Sequence, residues 1–122
     1  MATDFTLEER TAVFGENVLK TLKTIPSDTF TKPLISQLIR SSTSIGANYC
    51  EANGASSKKD FRNKIHICKK EAQETKHWLR MLSAVIDDDT QKENLRTLWQ
   101  EAQELTLIFG KITGTMNNKK FK

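Results

Sequence analysis

The stretch RSSTSIGANYCE, residues Arg40–Glu51, is where a run of large apolar residues gives up its bulk. Leu34, Ile35, Leu38 and Ile39 precede it. Within it Ser41, Ser42, Ser44, Gly46 and Ala47 are small, while Arg40, Asn48 and Glu51 are polar. A glycine inside a helix costs about 1 kcal/mol relative to alanine. Small side chains let another backbone come close, so the run reads as a tight helix contact with polar groups set into it. A flexible loop around Gly46 is the alternative.

Working outward, the spacing predicts a second helix over residues 30–52, with Leu34, Leu38, Ile45, Tyr49 and Ala52 on one side. Pro33 is tolerable near its start, where amide donors have no partner within the helix. On the N-terminal side, IPSD ends a first helix over residues 6–24, which carries Val13, Phe14, Val18, Leu22 and Ile25. Pro26 disfavours a helical Ile25, and Ser27 or Asp28 can cap the second helix. Thr6 and Glu9 have the spacing of a capping box. On the C-terminal side, NGASS makes a short break, with Gly54 as a helix-terminating residue and Ser56 or Ser57 as the next cap.

The third helix, residues 57–86, is the most regular. Phe61, Ile65, Cys68, Ala72, Thr75, Leu79, Leu82 and Ile86 alternate steps of four and three, a heptad seam. DDDT then supplies acids and a cap for a fourth helix over 90–115, with Leu95, Leu98, Ala102, Leu105, Phe109, Ile112 and Met116. Short connections between amphipathic helices predict an all-α fold, an antiparallel up-down-up-down four-helix bundle. An extended coiled coil would share the seams, but the intervening caps and turns argue against it. We expect one domain over 1–118 and a basic flexible tail at 119–122.

Composition excludes several classes. The 122 residues suit one domain, and 37% apolar with 28% charged residues is ordinary for a helical protein. No apolar run nears the ~20 residues that span a bilayer. The opening MATDFTLEER has neither the basic start nor the apolar centre of a signal peptide. Cys50 and Cys68 are isolated, which fits a reduced setting better than a disulfide framework. The expectation is a cytoplasmic protein with no membrane partner.

The net charge of +4 is unevenly spread. Residues 58–80 hold eight Lys/Arg against three acids, and the terminal NNKKFK adds three more bases. At ~100° per residue, Lys58, Arg62, Lys69, Lys76 and Arg80 share one side of the third helix. Lys59, His66, Lys70 and His77 flank them more loosely. The opposite flank holds Ile67, Trp78, Met81 and Val85, with Asp60, Glu71 and Glu74 among them. A basic stripe can track phosphates through counterion release, or it can be a solvated face. No aromatic residue interleaves with it along the helix, so base stacking is not indicated.

Apolar positions cover about half of this helix, wider than the usual ~100° stripe. Subunit contact explains the surplus, and a deeply buried helix in a monomer is the alternative. On the second helix Arg40, Ser44 and Glu51 share a side with Asn48 at its edge. We assign them, with Glu71, Glu74 and Trp78, to a structural polar network or subunit interface in preference to ligand contact.

Catalytic and metal chemistry find little support. Glu74-x-x-His77 has the spacing of a carboxylate-bridged metal bundle, but no second Glu-x-x-His accompanies it. His66 and His77 lie ~16 Å apart along a helix, too far to share one ion. Asp87–Asp89 lacks the glycine and glutamate of a calcium loop. No phosphate loop, Cys-x-x-Cys or nucleophile–base pair is present, so no enzyme activity, metal or cofactor is expected.

The segments Arg40-Ser41, Ser44-Ile45-Gly46-Ala47-Asn48, Glu51-Ala52, Ser57-Lys58-Lys59-Asp60-Phe61, Lys70-Glu71-Ala72, Glu74-Thr75 and Trp78-Leu79 together resemble the 23S rRNA intervening sequence proteins, the S23 family. The resemblance is dense over the second and third helices, while the first and fourth match in pattern and length. It implies a bacterial four-helix bundle assembling as a homo-oligomer, with pentameric barrels the associated form. Some members are encoded within segments inserted in ribosomal RNA genes. A related branch, the accessory variability determinants of diversity-generating retroelements, resembles basic barrels that bind nucleic acid and a reverse transcriptase. Those are more strongly basic than this chain, whose body without the tail is close to neutral.

The combined expectation is a non-catalytic homo-oligomeric bundle that binds structured RNA or DNA. Lys58, Lys59, Arg62, Lys69, Lys70, Lys76 and Arg80 would meet phosphates. The alternative is a protein-interaction scaffold whose apolar faces dock a protein partner.

Overall fold

The computed structural model describes residues 6–120, with side chains through Met116. Four helices succeed one another: α1 Leu7–Leu22, α2 Thr31–Asn53, α3 Lys58–Ala84 and α4 Asp89–Lys120. No strand occurs among the described residues. The helices form a bundle in which α1 lies beside α2, α2 beside α3, α3 beside α4, and α4 beside α1. Diagonal helices meet only through core side chains, as where the rings of Tyr49 and Phe109 come within 6.2 Å.

The helix starts obey local chemistry. Thr6 Oγ1 accepts the Glu9 amide at 3.1 Å, and Ser57 Oγ accepts the Asp60 amide at 3.0 Å. Ahead of α2, Asp28 Oδ1 accepts the Phe30 and Thr31 amides, both at 2.8 Å. Ahead of α4, Asp88 Oδ1 accepts the Gln91 amide at 2.8 Å. Each bond satisfies an amide that the helix itself leaves open. Gly54 ends α2 at φ −98°, so it closes the helix without the left-handed turn that a glycine there permits. The fourth helix runs to Lys120, beyond the expected end at Thr115 and into the segment expected to be a loose tail. Thr113 is still buried and its hydroxyl donates back to Phe109 O at 3.2 Å, so the helix is still packed at that level. Phe121 and Lys122, the rest of that segment, lie outside the described residues.

The heptad seams fill the centre. Ile65, Cys68, Ala72, Thr75, Leu79, Leu82 and Ile86 of the third seam are buried, with Phe61 packed against them. From the fourth, Leu95, Leu98, Ala102, Leu105 and Phe109 are buried. Each large side chain taken out of water contributes about 1.5–3 kcal/mol.

The run Arg40–Glu51 is helical throughout, so the loop alternative is excluded. It contacts two neighbours. Toward α1, a methyl placed on Gly46 would stand 3.4 Å from Thr11 Oγ1, and one on Gly15 would stand 3.6 Å from Ser42 O. Toward α3, Cys68 Sγ points at Ile45 O at 3.6 Å, and the Ser41 and Thr75 hydroxyls are 2.9 Å apart. Thr75 Oγ1 also lies 2.8 Å from Glu71 O. Its single proton serves that carbonyl, so Ser41 donates to Thr75. Among the buried hydroxyls here Ser42 Oγ has no hydrogen-bond partner.

Candidate nucleic-acid interface

The third helix lies between α2 and α4, and its charges are sorted by neighbour. On the α2 side, Arg40 reaches across to Glu71 at 3.3 Å and to Glu74. Glu74 Oε2 also accepts the Trp78 indole N–H at 3.0 Å. The carboxylate of Glu74-x-x-His77 is thus occupied by a guanidinium and an indole. The His77 imidazole instead sits edge-on to Trp78, with ring centroids 4.9 Å apart. Among the described residues no three His, Cys, Asp or Glu side chains gather around a common point.

The remaining polar residues assigned to the α2 network separate from it. Ser44 Oγ donates to Arg40 O at 2.7 Å and Asn48 Nδ2 donates to Ser44 O at 2.8 Å, both within the helix. Glu51 pairs with Lys64 at 2.7 Å, a partner that the charge pattern had not singled out. This hydrogen bond and the carboxylate charge raise the Lys64 pKa. The assigned set therefore divides into a four-residue cluster (Arg40, Glu71, Glu74, Trp78), two local helix bonds, and one separate ion pair.

On the α4 side the charges are basic. The Lys69 side chain lies over Gly110, where an added methyl would meet Nζ at 3.5 Å and Cε at 3.6 Å. Absence of a side chain at Gly110 leaves room for that stem. Lys76 Nζ donates to Gln103 Oε1 and stands 5.3 Å from the centre of the Trp99 ring. Arg62 is half-buried, whereas Lys58, Lys59, Lys70 and Arg80 are exposed. Besides the half-buried Arg62, the stripe thus contains two kinds of residue. Lys69 and Lys76 stabilise the α3–α4 packing through their stems, as long cationic side chains commonly do. The exposed four are free to meet a ligand.

Toward the C-terminal end of α3 an open cleft of about 720 Å³ lies over its junction with α4. Arg80 and Ser83 enter it from α3, and Lys92, Arg96, Trp99 and Gln100 from α4. Among the described residues no carboxylate lines it. An aromatic ring therefore does stand beside the basic stripe, contrary to the reading of α3 taken alone. Trp99 comes from the neighbouring helix, and no periodicity within α3 could reveal it.

Elsewhere the surface keeps apolar side chains: Phe30 is 68% exposed, Leu107 60%, Ile39 44%, Val85 40% and Ile67 37%. Part of the apolar surplus on α3 is used within the chain, since Trp78 packs against the core. Ile67 and Val85 are not so used. No described helix is long and apolar enough to cross a membrane.

Fold and surface together define a helical-bundle protein with a basic cleft between its last two helices. The family model of the 23S rRNA-intervening sequence protein matches residues 3–111, and the chain belongs to that family. Among solved structures it is similar to a protein of unknown function from the S23 ribosomal protein family of Bacteroides thetaiotaomicron VPI-5482. The two share 29% identity at a TM-score of 0.78, over 88% of this chain and 98% of the other. No curated protein matches the chain.

Proposed function

We propose that this protein is a non-catalytic, homo-oligomeric antiparallel four-helix bundle that binds structured RNA or other nucleic acid along the basic side of α3. One observation carries the reading: α3 turns Glu71 and Glu74 toward α2, where Arg40 meets them, and its bases toward α4 and solvent, save Lys64, which pairs with Glu51 of α2. The outcome is a lengthwise basic surface continued by Lys92 and Arg96 of α4. Membership of a family described by 23S rRNA adds to it. The up-down-up-down order agrees with contacts that advance along one helix while receding along the next: Thr11 to Gly46 and Gly15 to Ser42, then Arg40 to Glu74 and Ile45 to Cys68. The apolar side chains exposed on α2 and α3 and just past the end of α3, Ile39, Ile67 and Val85, supply a surface for subunit contact.

Those same side chains support the second reading, a scaffold that docks a protein partner and leaves the basic surface solvated. The test is fluorescence anisotropy with a structured RNA across a salt series. Its variant replaces Lys58, Lys59, Lys70 and Arg80 with Gln, all exposed and so removable without disturbing the bundle. If these four each meet a phosphate, affinity falls about 50- to 150-fold between 50 and 200 mM salt. The variant then loses roughly 3 units of the salt slope. Equal binding by the folded variant removes the assignment, and no binding at low salt moves the function to the scaffold.

A further inference from the structure

We infer that the cleft between α3 and α4 seats one unstacked nucleotide of a single strand, its base against Trp99 and its flanking phosphates on Arg80, Lys92 and Arg96. This deepens the nucleic-acid reading and rests on it.

The chemistry of the lining selects the ligand. Its floor is apolar, made by the buried Leu79 and Leu95. Its rim is cationic on both sides, from Arg80 on α3 and from Lys92 and Arg96 on α4. Between them stands the half-buried Trp99 ring, with the Ser83 hydroxyl and Gln100 amide as neutral hydrogen-bonding groups. An aromatic face flanked by cations is the arrangement that holds single strands, since every base has a stacking face and every linkage an anion. Neutral donors and acceptors beside the ring suit the edge of a base. The volume, about 720 Å³, lies within the range of ligand sites.

The same geometry excludes a duplex base, whose faces are already covered by its neighbours. Recognition of bases in RNA falls on loops, bulges and ends, where bases can leave the stack. Among the described residues, Glu93 is the carboxylate paired to the rim, 3.6 Å from Arg96 on the open surface. Both side chains are about two-thirds exposed or more, so a phosphate can displace Glu93 from Arg96. The half-buried Lys76, bonded to Gln103, lies over the Trp99 ring 5.3 Å from its centre and holds the ring in place from that side.

The chain has two tryptophans, so Trp78→Phe leaves Trp99 as the only indole reporter. This variant is titrated at low salt with a single-stranded U10 RNA, a blunt ten-base-pair RNA duplex, UMP, inorganic phosphate and a poly-glutamate peptide. The expected result is quenching of Trp99 by U10, with affinity at least ~10-fold above that for the duplex. Trp99→Leu should weaken U10 binding about tenfold while leaving duplex binding unchanged. Because Trp99 also packs against the core, Arg96→Gln, at an exposed position, provides the second variant and should weaken U10 binding severalfold. Equal affinity for U10 and duplex with unmoved Trp99 emission overturns the cleft assignment and leaves the phosphate-contact reading standing. Binding of neither RNA overturns both. Quenching by UMP or phosphate as strong as by U10 overturns the strand in favour of a free anion. An equal effect of poly-glutamate overturns it in favour of an acidic protein segment.

Discussion

Replacing Gly46 separates two effects that the α1–α2 contact sets against each other. Alanine there relieves the helix of a glycine, worth up to about 1 kcal/mol. Its methyl would stand 3.4 Å from Thr11 Oγ1 and 3.6 Å from the Thr11 carbonyl atoms. That is close but ordinary contact, although the Thr11 hydroxyl is tied to Glu8 O at 3.0 Å and has little room to yield. Gly46→Ala should therefore be neutral to stabilising, by about 0.5–1 kcal/mol. Leucine at the same position adds three more carbons against α1. The obstacle there includes main chain, which cannot rotate aside. Overpacking of this kind costs about 1–3 kcal/mol, and the propensity gain offsets less than 1 kcal/mol of it. A net loss of about 1–2 kcal/mol lowers Tm by about 4–8 °C in a chain of this size. Thermal and urea unfolding tracked by circular dichroism measure both variants. A Gly46→Leu protein as stable as Gly46→Ala would refute close approach of α1 and α2 as the reason for the small-residue run.

Three further outcomes depend on particular groups. Ser42→Ala removes a buried hydroxyl without a hydrogen-bond partner, so urea unfolding should show a gain of up to about 1 kcal/mol instead of the usual loss. Burial pushes the Cys68 thiol up to about 12, whereas Cys50 is exposed. A disulfide reagent at pH 8 should accordingly titrate one thiol in the folded protein and two in denaturant. The Asp28 carboxylate accepts the Thr31 and Phe30 amides, which hold its pKa below the usual range. A depressed folded value means that this stabilisation is present above the ordinary carboxylate pKa and lost as pH falls through the folded one. Comparing Asp28→Ala with the parent by urea unfolding, the stability difference should be constant near neutrality and shrink below about pH 4.

The periodic parts of the fold were legible in the sequence because one helix contains all the information they need. The seam from Ile65 to Ile86 is buried because its steps keep those residues on one side, whatever lies opposite. The caps at Thr6 and Ser57 are equally local, each decided within four residues. The end of α4 was not, because Gly114 and the subsequent Asn117 and Asn118 lower helix propensity. Packing can outweigh that loss, and the burial of Thr113 shows packing still present at this level. The candidate site divides along the same line. Segregation of Lys69 and Lys76 from Glu71 and Glu74 is set by angles around α3 alone. The partners are not: Arg40 for the acids and Trp99 for Lys76 depend on the register between helices, which one chain's periodicity leaves open. The same ignorance of register hid the difference between Lys69, laid over Gly110, and the exposed Lys70 beside it.

A ring of four helices has four seams, and the one between α1 and α4 is the slightest. Much of its specific chemistry is a single fork, with Arg10 Nε and Nη2 bonded to the two oxygens of Glu101 at 2.7 and 2.8 Å and Glu104 at 3.5 Å. α3, by contrast, is held broadly from both sides. The bundle should therefore open first at this seam, with α1 swinging from α4 while α2, α3 and α4 stay together. Amides of α1 should exchange with solvent sooner than those at the centre of α3, through an excursion short of global unfolding. Such an opening bares Phe14, Val18 and Leu22 together with the groove they leave, a matched pair of surfaces on every copy. Two copies open at once could trade first helices, an exchange opposed chiefly by the burial of Phe14, Val18 and Leu22, with the half-exposed Arg10 fork adding a smaller share.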